Sequence, residues 1–296
     1  MSRQARPRVG DSLLARTLII GAAVSIAALL IGGPLAVIFS EALRAGFGPY
    51  LQNLATPDTR HAILLTVATA LVAVPINTAF GIAAAWAVAK FEFRGKGLLI
   101  ALIELPFSVS PIVAGVAYLF VYGAQGWLGP WLLDHGIKVM FAYPAIVLAS
   151  LFVTAPFVAR EILPLMQAQG SAEEEAALTL GASGWRTLWS VTLPNIRWAL
   201  LYGVVLTNAR VMGEFGAVSV VSGNIRGVTN TLPLQIELLY QDYNSAGAFA
   251  AATVLAAIAL LTIVAKMIVE PEAPELVESD GVTYGLLDLG ERDLDD

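Results

Sequence analysis

Cysteine is absent from this 296-residue chain, which excludes disulfides, thiolate metal sites and a cysteine nucleophile. Histidine is almost as scarce. His61 and His135 are the only two, both beside apolar stretches, where an interfacial polar group is a simpler reading than a metal ligand. No Gly-x-x-x-x-Gly-Lys-[Ser/Thr] segment occurs, so the chain lacks the phosphate-cradling loop needed to hydrolyse ATP. No pattern recurs with a period of roughly 20 to 50 residues, which argues against a solenoid or propeller. Nucleophile, base and metal ligands are nowhere clustered as a membrane-embedded enzyme would need.

Charge is the next scarcity. Only 14% of residues are Asp, Glu, Lys or Arg, against 57% hydrophobic, and the mean hydropathy of +0.73 is too apolar for an ordinary soluble domain of this length. Residues 17–40, 61–89, 105–133, 139–159 and 243–265 hold no charged side chain, and each reaches the roughly 20 residues that cross a bilayer as a helix. A sixth stretch, 198–221, is equally apolar except for Arg210 and Glu214, and charges at that depth are costly enough to be read as functional. The expected fold is therefore an all-α integral membrane protein with six transmembrane helices, near 17–40, 62–89, 98–122, 139–160, 198–221 and 246–268. These form one domain over 17–269, preceded by a basic segment, 1–16, and interrupted by a polar loop, 165–197.

The first apolar run follows Arg3, Arg6, Arg8 and Arg16 but exceeds the roughly 7 to 15 residues of a secretory h-region, so it is expected to stay as a span. On the six-span scheme, Arg3, Arg6, Arg8, Arg16, Lys90, Arg94, Lys96, Arg160, Arg186, Arg197 and Lys266 fall on one side. Arg44, Arg60, Lys138 and Arg226 fall on the other. The positive-inside bias then places both termini in the cytoplasm. From Glu270 onward the chain carries ten acidic residues against Arg292, leaving sixteen basic and thirteen acidic residues before it. That acidic, Pro-punctuated segment, 270–296, is expected to be a disordered cytoplasmic tail. Pro34, Pro75, Pro106, Pro111, Pro144 and Pro156 fall in or beside spans, where they either kink helices around a gated pathway or are simply tolerated.

The most informative polar stretch lies between the fourth and fifth spans. Ser171 followed by Glu174 matches a capping box, Glu173 to Glu175 place negative charge at the positive end of a helix dipole, and Gly181 can end the helix in a left-handed conformation. The pattern predicts a short helix over about 172–180. Ser183 can cap a second short helix through Trp185, Leu188 and Trp189, with Pro194 opening the next span. Ala176, Ala177, Leu178 and Leu180 give the first helix a small apolar surface that either docks on a cytosolic partner or merely completes a capped connector.

The spacing Glu175-Ala-Ala-x-x-x-Gly181, nine residues, then Val191-x-Leu193-Pro194 resembles the EAA loop of ABC importer permeases, with Val191 in place of the usual isoleucine. Further stretches extend the likeness. Leu201-Tyr-Gly-Val-Val-Leu-Thr-Asn-Ala-Arg-Val-Met-Gly-Glu-Phe-Gly-Ala-Val-Ser-Val-Val-Ser-Gly-Asn resembles the fifth span of sulfate and molybdate permeases. Pro106-Phe-Ser-Val-Ser-Pro-Ile-Val-Ala-Gly, Leu232-Pro-Leu-Gln-Ile-Glu and Gln241-Asp-Tyr-Asn are similar to the W-type branch of the sulfate/thiosulfate permeases. The likeness covers about 17–269 and leaves out the acidic tail.

That resemblance implies a type I ABC importer permease fold with a cytoplasmic coupling helix. It implies Glu175, Ala176, Ala177, Gly181, Leu193 and Pro194 as the residues that couple to an ATPase. It also implies a T-type permease partner, two copies of a cytosolic ABC ATPase that bind ATP and Mg, and a periplasmic sulfate/thiosulfate-binding protein. The setting is the bacterial cytoplasmic (inner) membrane; no cofactor in this chain and no nucleic-acid partner are expected. Molybdate or tungstate is the alternative cargo, and a self-sufficient secondary anion transporter the alternative class. For the pathway or gate, the candidates are Arg210, Glu214, Phe215, Ser108, Ser110, Asn208 and Ser222. Arg210 and Glu214, four apart on one helix face, can be an internal pair, a gate or interface pair, or a direct anion ligand. Phe215, between Gly213 and Gly216, can be a gate plug or plain packing. The neutral hydroxyl and amide groups can line an anion path or bond back to the helix.

Overall fold

A computed structural model describes residues 13–269, all helices and connections, with no strand among them. Arg3, Arg6, Arg8 and the segment from 270 onward lie outside the described residues. The helices are α1 (Leu13–Ala27), α2 (Gly33–Leu43), α3 (Phe47–Ala55), α4 (Pro57–Lys90), α5 (Lys96–Ser108), α6 (Pro111–Tyr122) and α7 (Gly129–Asp134). They continue as α8 (Tyr143–Gln169), α9 (Ala172–Thr179), α10 (Gly184–Thr187), α11 (Leu193–Met212), α12 (Gly216–Val221), α13 (Leu232–Gln241) and α14 (Ser245–Val269). One π-helical turn, Ala28–Gly32, joins α1 to α2, and another, Leu188–Thr192, joins α10 to α11.

Four unbroken helical stretches are long and apolar enough to cross a membrane: Ala15–Leu43, Pro57–Lys90, Tyr143–Gln169 and Ser245–Thr262. α5 and α6 are long and apolar enough only when taken together, and they meet at 111°, the geometry of either a broken span or a re-entrant pair. The stretch expected as a span over 98–122 is thus sharply bent within its length. Val109 and Ser110 are extended and Pro111 opens α6, because the residue before a proline is pushed out of the helical region. The expected span over 198–221 is likewise divided, with α11 stopping at Met212 and α12 starting at Gly216.

The core is made by α4 and α8, which share the most extensive interface in the molecule, with α11 packed against both. Small residues permit this. Ala62, Ala70, Ala73, Ala84 and Ala85 line the buried face of α4, and backbones approach closely where side chains are short. Gly81 is the extreme case, since a Cβ there would lie 2.6 Å from Val158 Cβ. Gly203 of α11 reaches the same valine from another side, its would-be Cβ 3.2 Å from Val158 Cα. One polar link crosses the interface: buried Asn77 donates to Leu151 O at 3.1 Å and to Thr154 Oγ1 at 2.7 Å. Thr66, Thr69, Thr154 and Thr207 return their hydroxyls to carbonyls four residues back, which satisfies them without water. Residues 16–32, by contrast, are exposed throughout, presenting an apolar surface suited to hydrocarbon.

Candidate functional site: the loop at 170–194 and the break after α11

At Gln169 the chain leaves α8 and enters α9 through Gly170, whose φ of +67° is open to glycine. Glu173, Glu174 and Glu175 occupy the first turn of α9, where the helix dipole favours negative charge. The capping box is not formed. Ser171 Oγ accepts no backbone N–H and instead donates to Glu175 Oε1 at 2.5 Å. Glu174 is drawn away by tertiary partners: Lys90 Nζ at the end of α4 lies 2.9 Å from its Oε1, and Thr192 Oγ1 donates to the same oxygen at 3.1 Å. Lys90 also donates to Gly170 O, Asn195 Nδ2 donates to Glu173, and Gln169 Nε2 donates to Asn195 O at 3.3 Å. The loop is therefore tied to the adjoining ends of α4, α8 and α11.

The end of α9 is a Schellman motif. Ala182 N donates to Ala177 O at 3.0 Å and Gly181 N to Leu178 O at 2.9 Å, with Gly181 at φ +89°. Ser183 caps α10 by accepting from Arg186 N at 3.4 Å. This second helix is not separate from the next span, as the expectation had it. Residues from Gly184 to Met212 keep helical backbone through the π turn, so α10 and α11 form one continuous helical path. Pro194 lies within that path. It has no N–H to offer and its ring crowds the carbonyl four residues earlier, and the turn before it is widened so that Leu193 N bonds to Leu188 O.

Ala176 and Glu175 are exposed and Ala177 is half-buried. Leu178, Leu180, Trp185 and Trp189 are 51%, 88%, 66% and 58% exposed, forming an apolar surface on the outside of the loop. Trp185 and Trp189 meet edge to face at 5.8 Å, while Leu188 between them is buried. The anchoring partner Lys90 carries no sequence signal for this site, since it is 80 residues from Gly170.

The second region is the break after α11. Gly213 N and Glu214 N close the helix on Ala209 O and Val211 O. Glu214 turns inward, only 2% exposed. Its Oε1 accepts from Ala217 N at 3.0 Å, and its Oε2 lies 2.9 Å from Arg210 Nη1 as a charge contact rather than a directed hydrogen bond. The carboxylate thus bridges the end of α11 and the start of α12. Phe215 stands at the break and is 37% exposed. Beyond it, α12 packs on α6 through glycines: a Cβ on Gly216 would be 3.1 Å from Pro111 Cβ, and one on Gly115 would be 2.9 Å from Ala217 O.

The two helix breaks therefore lie side by side. Ser108 and Ser110 flank the α5–α6 bend and are exposed. Asn208 is half-buried on α11. Ser222 is buried and committed to its own turn, donating to Asn224 Oδ1 at 3.1 Å and accepting from Asn224 N at 3.2 Å. Among the described residues, no group of three or more His, Cys, Asp or Glu side chains could hold a metal ion.

Residues 77–272 match the family described as "Binding-protein-dependent transport system inner membrane component". The chain belongs to this family. It is 56% identical over 252 residues, 85% of this chain and 87% of the relative, to the sulfate transport system permease protein CysW of Escherichia coli (strain K12). It is 48% identical to sulfate permease 2, chloroplastic, of Chlamydomonas reinhardtii, over 87% of this chain and 70% of that one. The sulfate transport system permease protein CysT of Escherichia coli (strain K12) is 34% identical, over 83% and 89%. In fold the chain is similar to the crystal structure of a bacterial alginate ABC transporter in complex with alginate pentasaccharide-bound periplasmic protein. The TM-score is 0.71 at 16% identity, over 87% of this chain and 97% of that one. This is a multi-pass inner-membrane transport component with an ABC importer permease fold.

Proposed function

We propose that this chain is the W-type permease subunit of a sulfate/thiosulfate ABC importer, moved by a separate ATPase through the loop at 170–194. Support for the cargo comes from the 56% identity to a sulfate permease along 85% of the chain. The observation that carries the coupling reading is the pairing of an outward apolar surface, Leu178, Leu180, Trp185 and Trp189, with an inward polar anchorage on α4 and on the start of α11. A connector needs the second but not the first. The partners on this reading are a T-type permease, two ATPase copies holding ATP and Mg, and a periplasmic binding protein. Both termini are cytoplasmic, and no cofactor belongs to this chain.

Glu175, Ala176 and Ala177 face the ATPase cleft, Gly181 redirects the chain toward α10, and Leu193 and Pro194 begin the arm that carries motion into the membrane. At the far end of that arm, the Arg210 and Glu214 pair holds the break shut from within as an internal pair. Glu214 is buried and its charge is already matched, which leaves no net positive group to hold a dianion, and tight retention would slow release. Ser108 and Ser110 at the α5–α6 bend and Asn208 on α11 supply neutral donors for a transient anion route, while Ser222 shapes the turn after α12.

The test is ATP-dependent uptake of labelled sulfate into vesicles holding the partner subunits. Glu175→Arg with Gly181→Val is expected to abolish it, and unchanged import would refute the coupling assignment. Displacement of labelled sulfate by molybdate rather than thiosulfate would overturn the cargo.

A further inference from the structure

Two helices leave the coupling loop by covalent connection, α8 on one side and α10–α11 on the other. α4 has no such connection, and α4 and α9 do not pack along their lengths. Their polar link is an ion pair. Lys90, the last residue of α4, places Nζ 2.9 Å from Glu174 Oε1 and donates to Gly170 O. The two side chains are only 9% and 15% exposed, so water and salt screen the contact weakly. Thr192 Oγ1 donates to the same carboxylate oxygen. One carboxylate thus gathers the end of α4, the turn leading into α9 and the π turn leading into α11.

Resting on the proposed coupling role of this loop, we infer that Lys90 and Glu174 form a transmission strut. It makes α4 follow the coupling helix directly, whereas α8 is joined to that helix only across the turn at Gly170. α4 is the partner most extensively packed on α8 and also packs on α11. If the strut is cut, displacement of α9 can be absorbed by local bending at Gly170, whose φ of +67° marks a turn rather than a helix. The core α4–α8 pair then lags behind. Lys90 is in this sense a positioning residue: it touches neither cargo nor nucleotide.

The experiment uses the complete transporter in proteoliposomes and measures sulfate imported per ATP hydrolysed, together with co-purification of the ATPase on tagged permease. Lys90→Met is expected to keep the ATPase bound but to lower import per ATP by about tenfold, within the range of a typical coupling energy. Glu174→Lys alone is expected to do the same. Lys90→Arg, and the charge reversal Lys90→Glu with Glu174→Lys, are expected to recover to within about threefold of the parent, since either retains an ion pair. Import per ATP unchanged in Lys90→Met would overturn the strut, and so would a charge reversal no better than the single changes. Loss of ATPase binding in Lys90→Met would also overturn it, by making Lys90 part of loop folding. Failure of the unaltered permease to bind any ATPase would instead overturn the coupling reading itself.

Discussion

Removing one partner of the Arg210 and Glu214 pair is expected to give sharply unequal results, and the inequality follows from burial. Glu214 is 2% exposed, whereas the Arg210 side chain is 36% exposed. At 2.9 Å the bare attraction is about 6 kcal/mol for an effective dielectric of about 20. The net value is smaller, because both charges lost hydration on folding. Arg210→Met strands a buried carboxylate whose remaining partner is Ala217 N, and the expected cost is about 3–5 kcal/mol. Glu214→Gln keeps an oxygen for Ala217 N and leaves a guanidinium that is only partly enclosed by the chain, so about 1–2 kcal/mol is expected. The double variant should be more stable than Arg210→Met alone, because no uncompensated charge remains. Thermal unfolding of the purified subunit in one detergent, followed for all four proteins, checks the order. If Glu214→Gln proves as damaging as Arg210→Met, or if the double variant is the worst, the assignment of a pair that neutralises a buried carboxylate is refuted. Uptake measured alongside separates stability from gating: a direct anion ligand at Arg210 would abolish import even where the protein stays folded.

The α4–α8 interface supplies a second expectation. Gly81→Ala forces a Cβ to 2.6 Å from Val158 Cβ, about 1 Å inside ordinary contact, and should cost about 1–3 kcal/mol in unfolding measurements. Val158→Ala should rescue it only in part, because the offending Cβ remains. Asn77→Leu removes both donor bonds that cross the same interface and should cost about 1–3 kcal/mol, visible in the same assay. Gly181→Ala should strain the turn by about 1–2 kcal/mol through its positive φ, showing as weakened ATPase retention in pull-down rather than as loss of membrane insertion.

Signals that act within a few residues were legible in the sequence. Gly181 and Ser183 end and start helices from local backbone preference, and both do so here. The apolar stretches became α4, α8 and α14 because absence of charge is itself the requirement for lipid. Apolar content says nothing of direction, however. The stretch from 98 to 122 satisfied every length criterion and yet turns by 111° at Ser110-Pro111. The stretch from 198 to 221 carried its own warning in Gly213, Glu214 and Gly216, a charge bracketed by glycines, and the helix breaks there. The capping box failed for the opposite reason. Ser171 and Glu174 are correctly spaced, but Lys90 and Thr192 compete for the same carboxylate, and no local pattern records a partner so far away in the chain.

The unbroken run from Gly184 to Met212 has a mechanical meaning. Twenty-nine residues at the usual rise make a rod of about 43 Å, and a tilt of about 10° about its middle sweeps each tip through about 4 Å. One tip carries Trp185, projecting outward; the other ends at the hinge of Gly213, beside Phe215. A small arc at the Trp185 tip therefore has its counterpart at the Gly213 end, where the Glu214 carboxylate ties α11 to α12.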